Sequence, residues 1–153
     1  DIMHKSLDSF ISSTFWSERI GPVAALETLK IMEEIKSWKK ISLIGNNIKS
    51  KWLRLIKKYN IDATVKGLSA LPIILFNKHN LHYKTLITQE MLKVNFLASN
   101  SFYTSIAHNE EIVKKYFNHL EKVFKKINTS SIENKPNKFI DGEICKSNIS
   151  RMN

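Results

Sequence analysis

Two short β-branched, apolar runs stand back to back in this chain, Ala63-Thr64-Val65-Lys66-Gly67-Leu68 and Leu71-Pro72-Ile73-Ile74-Leu75-Phe76. Runs of this length bounded by turn residues read as strands, and Gly67 to Ala70 joins them as a hairpin. Pro72 suits a strand start or edge, where its missing amide donor does least harm. Elsewhere the apolar residues recur mostly at three and four, the period of an amphipathic helix. A hairpin among such segments must be covered by helices, so the expected fold class is α+β, a small, mainly antiparallel sheet with helices over it.

The helical segments can be placed. From Gly21 to Lys40 the stripe is Val23, Leu26, Leu29, Ile31, Met32 and Ile35, with Pro22 in the first turn, where no donor is needed. Ser42 is expected to cap a second helix, with Ile44, Ile48, Trp52, Leu55, Ile56 and Tyr59 inward and an end before Asn60. A short helix follows over Tyr83 to Lys93 with Leu86, Met91 and Leu92 inward, and then a third strand over Val94 to Ala98. Asn109, followed by Glu110 and Glu111, caps a last helix with Ile112, Tyr116, Phe117, Leu120, Val123, Phe124 and Ile127 on one face. After Lys126 the period is lost, leaving a tail with a short docked piece at Phe139-Ile140.

The 153 residues suffice for one domain with a real core, and an apolar fraction of 42% with four Gly and three Pro argues against disorder. No apolar run approaches the roughly 18 residues of a membrane span, and the first residues do not look like a signal peptide. A cytoplasmic location is the expectation, and the single Cys145 agrees with a reducing compartment. The net charge of +10 raises the question of nucleic acid, but the lysines fall at spacings expected of solvated helix faces. A basic nucleic-acid-binding domain is therefore kept only as an alternative.

Tests for chemistry return little from motifs alone. Ser12, His108 and Asp62 could be drawn as a triad, but no nucleophile elbow surrounds the serine. His79 and His82 form the one close histidine pair, without a nearby carboxylate or thiol, and read as a surface loop rather than a metal site. Neither a dinucleotide fingerprint nor a P-loop occurs. Ser12-Ser13-Thr14, several residues before the helix near Gly21, is either a connector or a set of hydroxyls and amides that could hold phosphate.

The whole stretch from Phe10 to Leu29 resembles, without a gap, the crossing from large to small domain in class III, fold type I pyridoxal-phosphate-dependent aminotransferases. The family form there is Gly-Thr-x-x-Gly-Asn-Pro, a few small and apolar residues, then Ala-x-x-Thr-Leu. Thr14 falls on the family Thr, while Ser13 stands for Gly, Glu18 for Asn and Arg19 for Pro. The pattern Ser12-Ser13-Thr14-Phe15-Trp16-Ser17-Glu18-Arg19 is similar to that of the glutamate-1-semialdehyde aminomutase-like branch. Val65 to Leu68, Gln89 to Leu92 and Ser105 to Ile112 agree in order with later family segments, so the likeness runs over about residues 5 to 127.

The resemblance implies the C-terminal small domain of a larger enzyme that moves amino groups by ping-pong chemistry. Residues 1–20 would be the interdomain and active-site loop, 21–127 the small domain and 128–153 an irregular tail. The Schiff-base lysine and the Asp that pairs with the pyridine nitrogen lie upstream in the family, so no catalytic residue is placed here and the segment by itself is expected to be inactive. The partners implied are the large domain of the same enzyme, a second subunit in a homodimer and a small amino-group donor. In that dimer the matching Thr reaches the cofactor phosphate of the other subunit. Thr14 is thus the implied pyridoxal 5'-phosphate contact and Ser13 a weaker neighbour.

Many relatives that handle α-amino acids place an Arg just before the last helix, and Phe96 to Ser105 contains none. His108 reads as a helix-entry residue with a hydrogen-bond partner. The rival reading from another class is a free-standing interaction module that kept the fold and lost catalysis.

Overall fold

The computed structural model describes residues 18–146. Four helices and one hairpin follow in order: α1 (Ile20–Ile35), α2 (Ser37–Lys58), β1 (Ala63–Leu68), β2 (Leu71–Phe76), α3 (Asn80–Leu92) and α4 (Glu110–Ile132). The chain divides into two units, one reaching Ser37 and one from Trp38 onward. Of the first unit the structure describes α1, whose 16 residues include none that is buried. Its stripe exists, but Val23, Leu26, Leu29 and Met32 are exposed.

The first helix ends earlier than its sequence period. Lys36 takes a left-handed backbone (φ 50°) and its N–H turns back to Glu33 and Met32. The break therefore falls at Lys36 and not near Ser42, which lies inside α2 and caps nothing. Neither Gly nor Pro marks the spot, and the apolar pattern runs straight through it, so the sequence carried no stop signal there.

In the second unit, α2 turns Ile48, Trp52 and Leu55 fully inward and Ile44, Ile56 and Tyr59 partly so. The hairpin is antiparallel, in register from Ala63 opposite Phe76 to Leu68 opposite Leu71. Gly67 is required in it: φ is +88°, and a Cβ would stand 2.3 Å from the Leu71 carbonyl oxygen. β2 sends Ile74 and Phe76 into the core, where they meet Tyr83, Leu86, Ile87 and Met91 of α3 and Leu120, Val123 and Phe124 of α4.

α2, α3 and α4 end the same way. Asn60, Asn95 and Asn134 each adopt positive φ, and the following amide reaches back five residues, Ile61 to Ile56, Phe96 to Met91 and Lys135 to Ser130, at 2.9–3.0 Å. Asn tolerates the left-handed region better than most side chains, and the long bond satisfies an orphan carbonyl of the last turn. α3 begins at Asn80, three residues before its apolar period, because the Asn80 side chain accepts the Phe76 amide at 3.3 Å and fastens the helix to the end of β2.

Two further expectations need correction. Val94 to Ala98 is not a strand, because Asn95 and Phe96 are committed to closing α3. The extended segment instead lies at residues 100–104, where it joins β2 through one bridge, Ile73 to Ser101. Leu92, expected inward, is exposed.

Asn109 caps α4, its side chain accepting the Ile112 amide at 2.9 Å, with Glu110 and Glu111 in the first turn. The helix runs on to Ile132 past the end of the apolar period. There Thr129 bonds back to Lys125 and Ser130 takes the inward position three residues after Ile127. Phe139 and Ile140 then pack on the core. Gln89 holds them, donating to the Phe139 carbonyl at 2.9 Å and accepting from the Asp141 amide at 2.6 Å.

Glu90 sits in the same knot, accepting from Lys126, Lys93 and Gln89. Burial by itself would raise its carboxyl pKa, but those three donors outweigh it and bring it down to about 2. A depressed carboxyl pKa means stability fully present above the ordinary value of 4.5 and lost as pH falls from there toward 2. The expected loss across that window is about 2 kcal/mol, discounted because both lysines are partly exposed. Urea unfolding at pH 6 and pH 2.5 reads it. Glu90→Gln should flatten that part of the pH dependence, and an unchanged slope would assign it to other carboxyls.

Candidate functional site

The sequence-derived site residues, Thr14 and Ser13, lie outside the described residues, as does Ser12 of the imagined triad. Of its other members, Asp62 accepts from the Asn77 side chain at 2.5 Å, and His108 is engaged with Ser105. His79 and His82 come together, ring centroids 5.5 Å apart. Burial first, and then the neighbouring His79, lowers the His82 pKa. Among the described residues no group of three side chains suited to a metal forms.

What the fold does build is a cleft of about 430 Å³ between the residues that follow α3 and the first turns of α4. Its floor is laid by the 100–104 segment. Asn100 is buried and spends its polar groups on β2: its side-chain amide donates to the Ile74 carbonyl at 3.0 Å, while its own carbonyl accepts the Ile74 amide at 2.8 Å. Phe102 donates its amide to Pro72 at 3.0 Å, and Thr104 to Ala70 at 2.9 Å. Such pairing fixes the side chains between them, because alternate residues of an extended segment face opposite ways.

Phe102 is the centre of an aromatic cluster. Its ring meets Trp52 at 6.3 Å and Tyr116 at 5.3 Å, both edge-on, and lies on His108 at 4.7 Å. Trp52 Nε1–H donates to the Tyr116 hydroxyl at 3.3 Å. Burial pushes the Tyr116 hydroxyl far above the ordinary tyrosine range, and the Trp52 donor offsets this only in part, so Tyr116 stays neutral at any physiological pH. His108 accepts the Ser105 amide at Nδ1, 3.0 Å away, so in its neutral form the proton is on Nε2. It is a helix-entry residue with a partner, as its sequence position suggested.

The open walls are Phe96, Leu97, Ala98, Tyr103 and Ile112, and the polar contributions are small: Thr88, Ser99, Ser101 and His108. Leu97 and Tyr103 stand 93% and 75% exposed at the mouth. Among the described residues no Lys, Arg, Asp or Glu lines the cleft. Sequence reasoning noticed this stretch only for its missing Arg. The apolar wall itself was hidden, because Phe96 and Ala98 were assigned to a strand and Tyr116 simply to the core.

No protein-family model matches the chain. Glutamate-1-semialdehyde 2,1-aminomutase of Hyperthermus butylicus is 26% identical over an alignment covering 77% of this chain and 31% of that protein. The FumI protein of Sphingopyxis sp. MTA144, solved in its PLP internal aldimine form, superposes with a TM-score of 0.72 at 17% identity, covering 85% of this chain and 32% of that one. The chain thus shares the fold of the matching part of the FumI protein. It spans about a third of the length of each of these two proteins.

The α+β fold expected from the sequence agrees with this likeness. A site for pyridoxal phosphate needs an imine-forming lysine and a cradle for the phosphate. An imine-forming lysine needs a desolvated pocket to lower its pKa, whereas none of the described lysines is buried. The cleft has no cation to meet a phosphate. The described residues do not by themselves make a site for the cofactor, and no chemical step is routed through it here. Among the described residues no helix is long and apolar enough to cross a membrane.

Proposed function

We propose that this domain is the C-terminal small domain of a pyridoxal-phosphate-dependent aminotransferase or aminomutase, in which another part of the enzyme carries the cofactor lysine. The observation that carries the reading is α1. Val23, Leu26, Leu29 and Met32 are exposed on one short helix, at a cost of about 25 cal/mol for each Å² of apolar surface left in water. An apolar stripe of that extent calls for a covering surface, and the large domain of such an enzyme supplies one. The same reading divides the chain into a crossing loop (1–20), the small domain (21–127) and a tail (128–153), the first residues of which continue α4. It also places the enzyme as a homodimer in the cytoplasm, acting on a small amino-group donor.

In this reading Thr14 gives its hydroxyl and amide to the cofactor phosphate of the other subunit, with Ser13 beside it. Charge-assisted hydrogen bonds of this kind contribute about 1.5 to 3 kcal/mol. In the full-length enzyme Thr14→Val should therefore weaken retention of pyridoxal phosphate by about tenfold or more, read by equilibrium dialysis. A second experiment tests the division of labour. The 153-residue chain incubated with pyridoxal phosphate and reduced with borohydride should yield no stoichiometrically modified lysine by mass spectrometry. A single modified lysine would show that the chain holds a cofactor site of its own and would overturn the proposal.

A further inference from the structure

We infer that the cleft between residues 96–103 and the start of α4 receives the uncharged, apolar end of a small molecule, an alkyl chain or a ring, and excludes a carboxylate. The inference deepens the function proposed above by naming what the far end of the amino-group donor looks like, and it rests on that function for the amine alone. At about 430 Å³ the cleft has the size and the mainly apolar lining of small-molecule sites. Several of the polar groups in and beneath it are already engaged, which leaves the Thr88, Ser101 and Tyr103 hydroxyls and His108 Nε2 as its few polar points. His108 Nδ1 accepts from Ser105, Asn100 is bound to Ile74, the Tyr116 hydroxyl accepts from Trp52, and Ser99 donates to Asn100.

A carboxylate placed there would meet no lysine or arginine, and a charge moved from water without a full partner costs several kcal/mol. An apolar group meets the opposite condition. Leu97 and Tyr103, standing far out at the mouth, would lose water against it, and Phe96 and Phe102 would face it with aromatic surface. The missing cation is thus part of a consistent lining and not an isolated gap.

Titration of the isotope-labelled 153-residue chain with 1-heptanol, followed by amide chemical shifts, tests this. Saturable shifts are expected at Leu97, Ser101, Tyr103 and Ile112, while glutarate at the same concentrations moves none of them. Ala98→Arg should weaken heptanol binding about tenfold and let glutarate in. Should that variant fold poorly, Leu97→Lys, at a fully exposed position, should keep the fold and weaken heptanol by about threefold. Glutarate bound as tightly as heptanol, no saturation, or shifts that follow protein concentration because a second copy fills the cleft, would each overturn the inference. The cofactor experiments above fail independently: their failure would leave the cleft's preference standing and remove only its assignment to an amine substrate.

Discussion

Gly45→Ala should destabilise the domain by about 3 kcal/mol, although it exchanges the second-worst helix former for the best in the middle of α2. A Cβ on Gly45 would stand 1.8 Å from the Ser69 backbone oxygen and 2.5 Å from its carbonyl carbon. Both belong to the hairpin turn, so no side-chain rotation relieves the clash and the helix and turn must separate. Separation would also loosen the Ser69 hydroxyl on Asn46 at 2.7 Å and Lys49 on the Gly67 carbonyl at 2.5 Å. The propensity gain of about 1 kcal/mol cannot offset this. Gly21→Ala, with nothing within 4 Å of the added atom, is the control and should be neutral or slightly stabilising. Urea unfolding of both variants checks the pair, and an unshifted midpoint for Gly45→Ala would mean that α2 does not rest on the turn.

Trp52→Ala should cost about 4 to 5 kcal/mol, a large share of the stability of a domain this size. Trp52 is wholly buried. It meets Phe102 edge-on and donates to Tyr116, so its removal empties the space beneath the cleft and strips a partner from a buried hydroxyl. Trp52→Phe separates these effects: it keeps most of the apolar volume and loses the donor, for an expected cost of about 1 to 2 kcal/mol. Chemical denaturation followed by far-ultraviolet circular dichroism measures both. Equal costs for the two variants would show that the hydrogen bond and not the packing dominates.

The candidate site was legible in an uneven way. The likeness around Thr14 rests on a continuous run of residues, which is the kind of signal a single sequence preserves. The cleft arises from Phe96, Phe102, Ile112 and Tyr116, which are near in the chain but face one space only once the 100–104 segment has paired with β2. The extended segment was expected six residues too early because Val94 and Phe96 favour strand, yet Asn95 bends the chain left-handed to end α3. Propensity lost there to a helix end that satisfies its own carbonyls.

By itself the sequence determined the elements whose signals are local. The hairpin follows from two β-branched runs and a glycine that alone tolerates its backbone. The start of α4 follows from Asn109, Glu110 and Glu111, and the buried stripes of α2 and α4 follow from helical period. Tertiary structure decided what depends on distant atoms: that Gly45 must lack a side chain, that α1 and α2 part at Lys36, and that Asn100 closes the core on β2. It also decided that α4 continues through Thr129 and Ser130. The physical reason is the range of the forces. Backbone sterics and capping act within a few residues, whereas burial and close packing are set by neighbours that only folding brings together.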